Sequence, residues 1–248
     1  DPEDYLGTTP ADEYGFDDTE WRRNFGHGLF ALVFPYMEDA ALADLVDMTY
    51  DGEQARFPSL PESNWTAGNT NVSYLICPTA PTRQKALGIT DYGVCGQVTS
   101  GQAAQLVQRR VVSPRRDWTG MLQPFRYVNG DRKYFRIRMK HITDGMSKTI
   151  MMSEDAGRPL EWIDGRRGDR DDISGARWIS DDVEFWIHDR CGDEQLMNCN
   201  NNNEIYSFHV GGSLFSFGDG SVRFISEDID AEVFISALTR YADDLGEL

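Results

Sequence analysis

The sequence predicts a strand-rich α+β fold with few short helices and long loops, and three observations carry that prediction. From Ser213 to Phe217 small or polar side chains alternate with apolar ones, Ser221 to Ile225 alternate again, and Gly218-Asp219-Gly220 stands between the two runs. Asp-Gly between apolar runs of period two is a strong hairpin signal, because glycine accepts positive φ and aspartate can hydrogen-bond its own backbone. A second signal of this kind, Asn129-Gly130-Asp131, separates Phe125 and Tyr127 from Tyr134, Phe135 and Ile137. Helical spacing, by contrast, is confined to short stretches broken by proline or glycine.

In chain order, residues 1–20 are acidic, carry Gly and Pro, show no periodicity and read as a lead-in to a single domain over 21–248. Trp21 to Tyr50 has apolar residues at helical spacing on both sides of Pro35, which should break or kink the segment, with Asp39 to Asp47 the clearer helix. Val72 to Ile76 reads as a strand leading into Cys77-Pro78, and Gln102 to Val112 as a short helix. In the hairpin from Phe125 to Met139 arginines alternate opposite the apolar residues, a pattern that guards an edge strand against pairing with other chains. Asp144-Gly145 then makes a turn before a buried strand at Thr149 to Met152. Arg158 to Asn203 is the least regular part, anchored by Trp178, Phe185 and Trp186.

The net charge of −17 and a pI near 4.5 repel phosphate backbones, so nucleic acid is not an expected partner, and an anionic membrane surface is disfavoured for the same reason. The most apolar run, Gly28 to Met37, is too short to span a bilayer, which takes about 18 residues or more. The chain begins Asp1-Pro2-Glu3 and reads as a processed or truncated product. The four cysteines lack the spacing of a zinc site or a redox motif. They read instead as two disulfides; if neighbours in sequence pair, Cys77 to Cys95 and Cys191 to Cys199 each close a short loop worth about 2–3 kcal/mol. Disulfides place the chain outside the cell, at the cell surface or in the periplasm.

Calcium is the cofactor that the composition suggests, because Asp181, Asp182, Asp189 and Asp193, with Asp169, Asp171 and Asp172 before them, concentrate the oxygen ligands that hard cations take. The spacing is not that of an EF-hand. The four histidines are isolated in sequence, and neither a Gly-x-Ser-x-Gly elbow nor a His-Glu-x-x-His helix occurs, so the chain is not expected to be an enzyme. Two other functions fit the composition: a surface module binding glycans or solutes through Trp162, Trp178 and Trp186, and a glycosidase or polysaccharide lyase using a pair of the many carboxylates. His209 and Asp219 read either as a metal or catalytic pair, or as a histidine holding a strand end and a turn aspartate; the hairpin context favours the second.

With these residues in hand, the sequence resembles the large planctomycete family of prepilin-like proteins marked by a His-x9-Asp-Gly signature near the C-terminus. Here the signature is His209, nine residues, then Asp219-Gly220, in the context EIYSFHVGG and FGDGSVRFI. The resemblance extends to FPYMEDAALADLVD (Phe34 to Asp47), ICPTAP (Ile76 to Pro81) and ITDGMSKTIMMSEDAGRP (Ile142 to Pro159), which contains Asp144, Gly145 and Glu154. It implies a secreted protein made with a prepilin-type leader and an apolar N-terminal helix, absent from this chain, through which subunits self-assemble. The implied fold is a pilin-like antiparallel sheet that leans on that helix. No catalytic residues come with the resemblance, and His209, Asp219, Gly220, Asp144, Gly145 and Glu154 enter as structural signature residues.

Overall fold

The computed structural model describes residues 13–14, 27–48, 62–83, 86–115, 117–123, 125–128, 131–135, 137–180, 183–187 and 195–240. In order these form β1 (Glu13–Tyr14), α1 (Leu29–Val33), α2 (Ala40–Ala43), α3 (Glu62–Gly68), β2 (Tyr92–Val98), α4 (Ser100–Gln108), β3 (Phe125–Val128), β4 (Asp131–Phe135), β5 (Ile150–Glu154), β6 (Trp162–Ile163), β7 (Arg166–Arg167), β8 (Glu184–Ile187), β9 (Gly212–Phe217), β10 (Val222–Ser226) and α5 (Ala231–Leu238). The fold is α+β with few short helices and long loops. No described helix is long and apolar enough to cross a membrane.

The central sheet has the order β10-β9-β5-β2-β8. It is antiparallel except where β8 lies parallel to β2, with Cys95 opposite Phe185 and Val98 opposite Ile187. That departs from the all-antiparallel expectation. The long connection into β8 allows it, because only a tight turn forces neighbouring strands to run in opposite directions. A separate sheet of order β1-β4-β3 contains the hairpin expected at Phe125 to Met139.

Period two sorts the side chains onto two faces. On one face Cys95, Ile150, Phe185, Ile187, Phe215, Phe217 and Ile225 are buried beneath α4 and α5, which contribute Ala103, Leu106, Phe234, Ile235 and Leu238. The hydroxyl of Thr99 accepts from the amide of Gln102 to start α4, and the Asp230 carboxylate accepts from Val233 N to start α5. On the other face a second cluster, built from Phe30, Phe34, Leu42, Leu75, Trp178 and Val183, roofs Tyr92 and Met152. Further along that face, on β9 and β10, Leu214, Val222 and Phe224 are exposed, and nothing comparable among the described residues covers them.

Several local expectations change. Val72 to Ile76 is not a strand; Leu75 N bonds back to Val72 O in a 3-10 turn, and Leu75 O accepts from Asp91 N. Pro35 does interrupt the first helical segment, as a 3-10 turn over Phe34–Tyr36. The helix expected over Asp39 to Asp47 stops at Ala43, and Asp47 N is taken by the Asn64 side chain at 2.6 Å, a tertiary partner that outbids another helical turn. The proposed Cys77 to Cys95 disulfide does not form, and both thiols are free and buried. Cys95 belongs to the cluster under α4 and α5, whereas Cys77 lies against the opposite face of the sheet, beside Glu154. The proposed Cys191 to Cys199 pair involves Cys191, which lies outside the described residues.

Candidate functional site: a Cys-Glu-His cluster on the sheet

Glu154 ends β5 directly opposite Tyr92 of β2, so it points to the face that the second cluster covers. Beyond β5 the chain continues beside residues 204–207: Tyr206 N donates to Glu154 O at 3.0 Å and Ala156 N to Tyr206 O at 2.8 Å. This pairing carries Ser207 and His209 over the Glu154 carboxylate. Glu154 Oε2 accepts from Ser207 Oγ at 2.8 Å, Ser213 Oγ at 3.0 Å and Leu214 N at 3.2 Å. Ser207 Oγ also accepts from His209 N, which fixes the backbone of the histidine. Three donors thus hold one carboxylate oxygen, and the other, Oε1, is left buried without a hydrogen bond and faces His209 Nε2 at 3.3 Å.

Cys77 completes the group. Its Sγ is 3.7 Å from His209 Nε2 and 3.0 Å from Thr79 Oγ1. Its amide donates to Asp91 Oδ2 at 2.9 Å. Asp91 is itself a buried anchor that accepts from Gly157 N and from both terminal nitrogens of Arg83. Among the described residues, Cys77, Glu154 and His209 bring one ligand atom each to within 4.8 Å of one another. The Cys77 and Glu154 side chains are buried, while His209 is about a quarter exposed and forms the mouth.

Burial, first, and then the neighbouring Glu154 raise the Cys77 thiol above its ordinary pKa, with the Thr79 hydroxyl working against them. Tyr92 is pushed up to about 12 by burial and by the charges of Cys77, Glu154 and Asp91. The pocket therefore resists uncompensated negative charge. What it offers chemically is a sulfur, an imidazole nitrogen and a carboxylate oxygen aimed at one point.

The signature residues divide between the two ends of β9. His209 and Glu154 meet before its first residue. At its far end Asp219 accepts from Ser221 N at 2.9 Å and Ser221 Oγ at 2.7 Å, closing the β9–β10 turn, in which Gly220 has φ +83°. The turn at Asp144-Gly145 lies alongside: Gly218 N donates to Thr149 O at 3.0 Å and Asp219 N to Met146 O at 3.1 Å. A Cβ at Gly218 would stand 2.7 Å from Met121 Cε and 3.0 Å from Met146 O, so any larger residue would require the methionine to move and the two turns to shift apart slightly. His209 and Asp219 are therefore not one site. Asp181, Asp182, Asp189 and Asp193 lie outside the described residues. Sequence reasoning missed Asp91, Arg83, Ser207 and Ser213; the two serines, four residues or fewer from His209, were the available signal.

Neither the curated proteins nor the solved structures contain a significant match to the chain. A family model described as "Protein of unknown function (DUF1559)", SBP_bac_10, matches residues 4–232, a span that takes in Cys77, Glu154, His209 and both Asp-Gly turns. On that match over most of its length, the chain belongs to the DUF1559 family.

Proposed function

We propose that the chain is the globular head of an extracellular prepilin-like subunit of the His-x9-Asp-Gly type, which acts by assembly through an apolar N-terminal helix and not by catalysis. The observation that carries this reading is the exposed apolar strip on β9 and β10, where Leu214, Val222 and Phe224 are 38, 64 and 52 % exposed. Phe224 and Leu214 are cross-strand partners, so together they present a ridge to solvent. Burying such a side chain completely is worth about 1.5–3 kcal/mol, and a helix laid along the strip would gain the share of it that is still exposed. The second cluster, which includes Phe30 and Phe34 from the first described helical segment, sits on this same face. The chain thus reaches α1 on the side of the sheet where the strip lies.

The glycan reading finds less support. Trp178 is fully buried, with Nε1 donating to Thr70 O, so it offers no ring face to a sugar, and Trp162 and Trp186 are half-buried.

The reading is tested in the whole gene product. Upstream of Asp1 the coding sequence should contain a leader followed by about 20 apolar residues. A photo-crosslinker at Phe224 should couple to that segment, in the same or a neighbouring subunit. A gene without such a segment, or crosslinks that never reach it, would overturn the proposal.

A further inference from the structure

The geometry points to Cys77, Glu154 and His209 as a binding site for a borderline divalent transition metal, zinc foremost, with a fourth coordination position open at the His209 side. Tetrahedral zinc with ligand bonds of about 2.0–2.3 Å holds its ligand atoms about 3.3–3.6 Å apart. The His209 Nε2 to Glu154 Oε1 distance is 3.3 Å and the Cys77 Sγ to His209 Nε2 distance is 3.7 Å. The independent sign is Glu154 Oε1, an atom without a hydrogen bond in a side chain only 1 % exposed, 3.3 Å from His209 Nε2 in a group whose ligand atoms all lie within 4.8 Å of one another. Its twin Oε2 is saturated by three donors, the outer-shell support that orients a ligating carboxylate. Asp91, bonded to the Cys77 amide, and Thr79, bonded to its sulfur, do the same for the cysteine.

The same contacts argue against a thiol nucleophile. A Cys-His-acid triad uses the two ring nitrogens separately, one toward the thiol and one toward the acid. Here Nε2 alone faces both Cys77 and Glu154, and a single nitrogen cannot accept from one and donate to the other. Three donors on a common point is the arrangement of a metal site. Sulfur and nitrogen donors suit zinc or cobalt and not calcium, which takes oxygen alone. A thiolate and a carboxylate balance a divalent charge, and the partly exposed His209 provides the entry path. The bound ion would tie the turn after Ser73–Leu75, strand β5 and the approach to β9 together, the stapling role expected of Cys77 in a disulfide.

The test is titration of the chelator-treated, reduced chain with zinc and with cobalt. Equimolar uptake is expected, with a thiolate-to-cobalt charge-transfer band in the near ultraviolet and protection of Cys77 from alkylation by zinc. Cys95, buried elsewhere, serves as the internal reference, and its labelling should not respond. Cys77→Ser and His209→Ala should abolish the band and weaken zinc binding by more than about tenfold. Uptake without the band, or undiminished in Cys77→Ser, would assign the ions to the acidic surface and overturn the inference. Should the variants not fold, the band and the Cys77 protection in the unaltered chain decide alone, and the absence of either overturns it.

Discussion

Glu154 and Asp219 show how differently two carboxylates of one signature can act. Glu154 is buried and accepts three hydrogen bonds, so its role is to gather Ser207, Ser213 and the start of β9 around one oxygen. Asp219 is exposed, and its carboxylate closes its own turn. Hydrogen bonds from the Ser221 side chain and backbone hold its pKa below the ordinary 3.8. A depressed carboxylate contributes stability that is present above its unfolded pKa and is lost as the pH falls through its folded value. Asp219→Ala should therefore melt below the unaltered chain at neutral pH, and the gap should close in acid below the ordinary carboxylate range. Melting curves across that range check it; a gap independent of pH would show that the carboxylate is not the cause. All three residues of the cluster lie in stretches that carry the family resemblance, but their meeting was not visible in the sequence. Cys77 and His209 are 132 residues apart, and no local spacing announces that they meet. An even count of cysteines pointed toward disulfides, whereas Cys77 is held by Asp91, Thr79 and His209 instead.

Among the elements, the β9–β10 hairpin separates inward from outward positions most cleanly. Phe215 and Phe217 are fully buried and touch the helical layer, Phe215 meeting Phe234 edge-on at 5.6 Å, while Leu214 and Phe224 point the other way into solvent. Phe215→Ala should cost about 3–5 kcal/mol in denaturant unfolding. Leu214→Ser and Phe224→Ser should each stay within about 0.5 kcal/mol. A large loss from the second pair would mean that the strip is already covered. Both hairpins were legible because an Asp-Gly or Asn-Gly turn between period-two runs is a local signal. The Val72 to Ile76 strand failed for the converse reason: a short apolar run does not report whether a neighbouring strand is present, and here Leu75 O is taken by Asp91 N in a turn. The shortened α2 is another tertiary decision, made by Asn64.

At the scale of the molecule, a charge of −17 opposes the compact state through self-repulsion. Added salt shortens the reach of that repulsion to about 8 Å at physiological strength, so the melting temperature should rise as salt is added to a dilute buffer. A flat response would mean that local pairs such as Arg115 with Glu232, at 2.8 Å, already absorb it. The sheet order also has a consequence for synthesis. Strand β5 lies between β2, made before it, and β9, which begins 58 residues after β5 ends. A ribosome delivers the chain N-terminus first, so for that interval β5 carries an open edge and Glu154 lacks all three of its donors. The β9–β10 hairpin closes the edge and satisfies the carboxylate together, so the sheet cannot be completed until both of these late strands have been made.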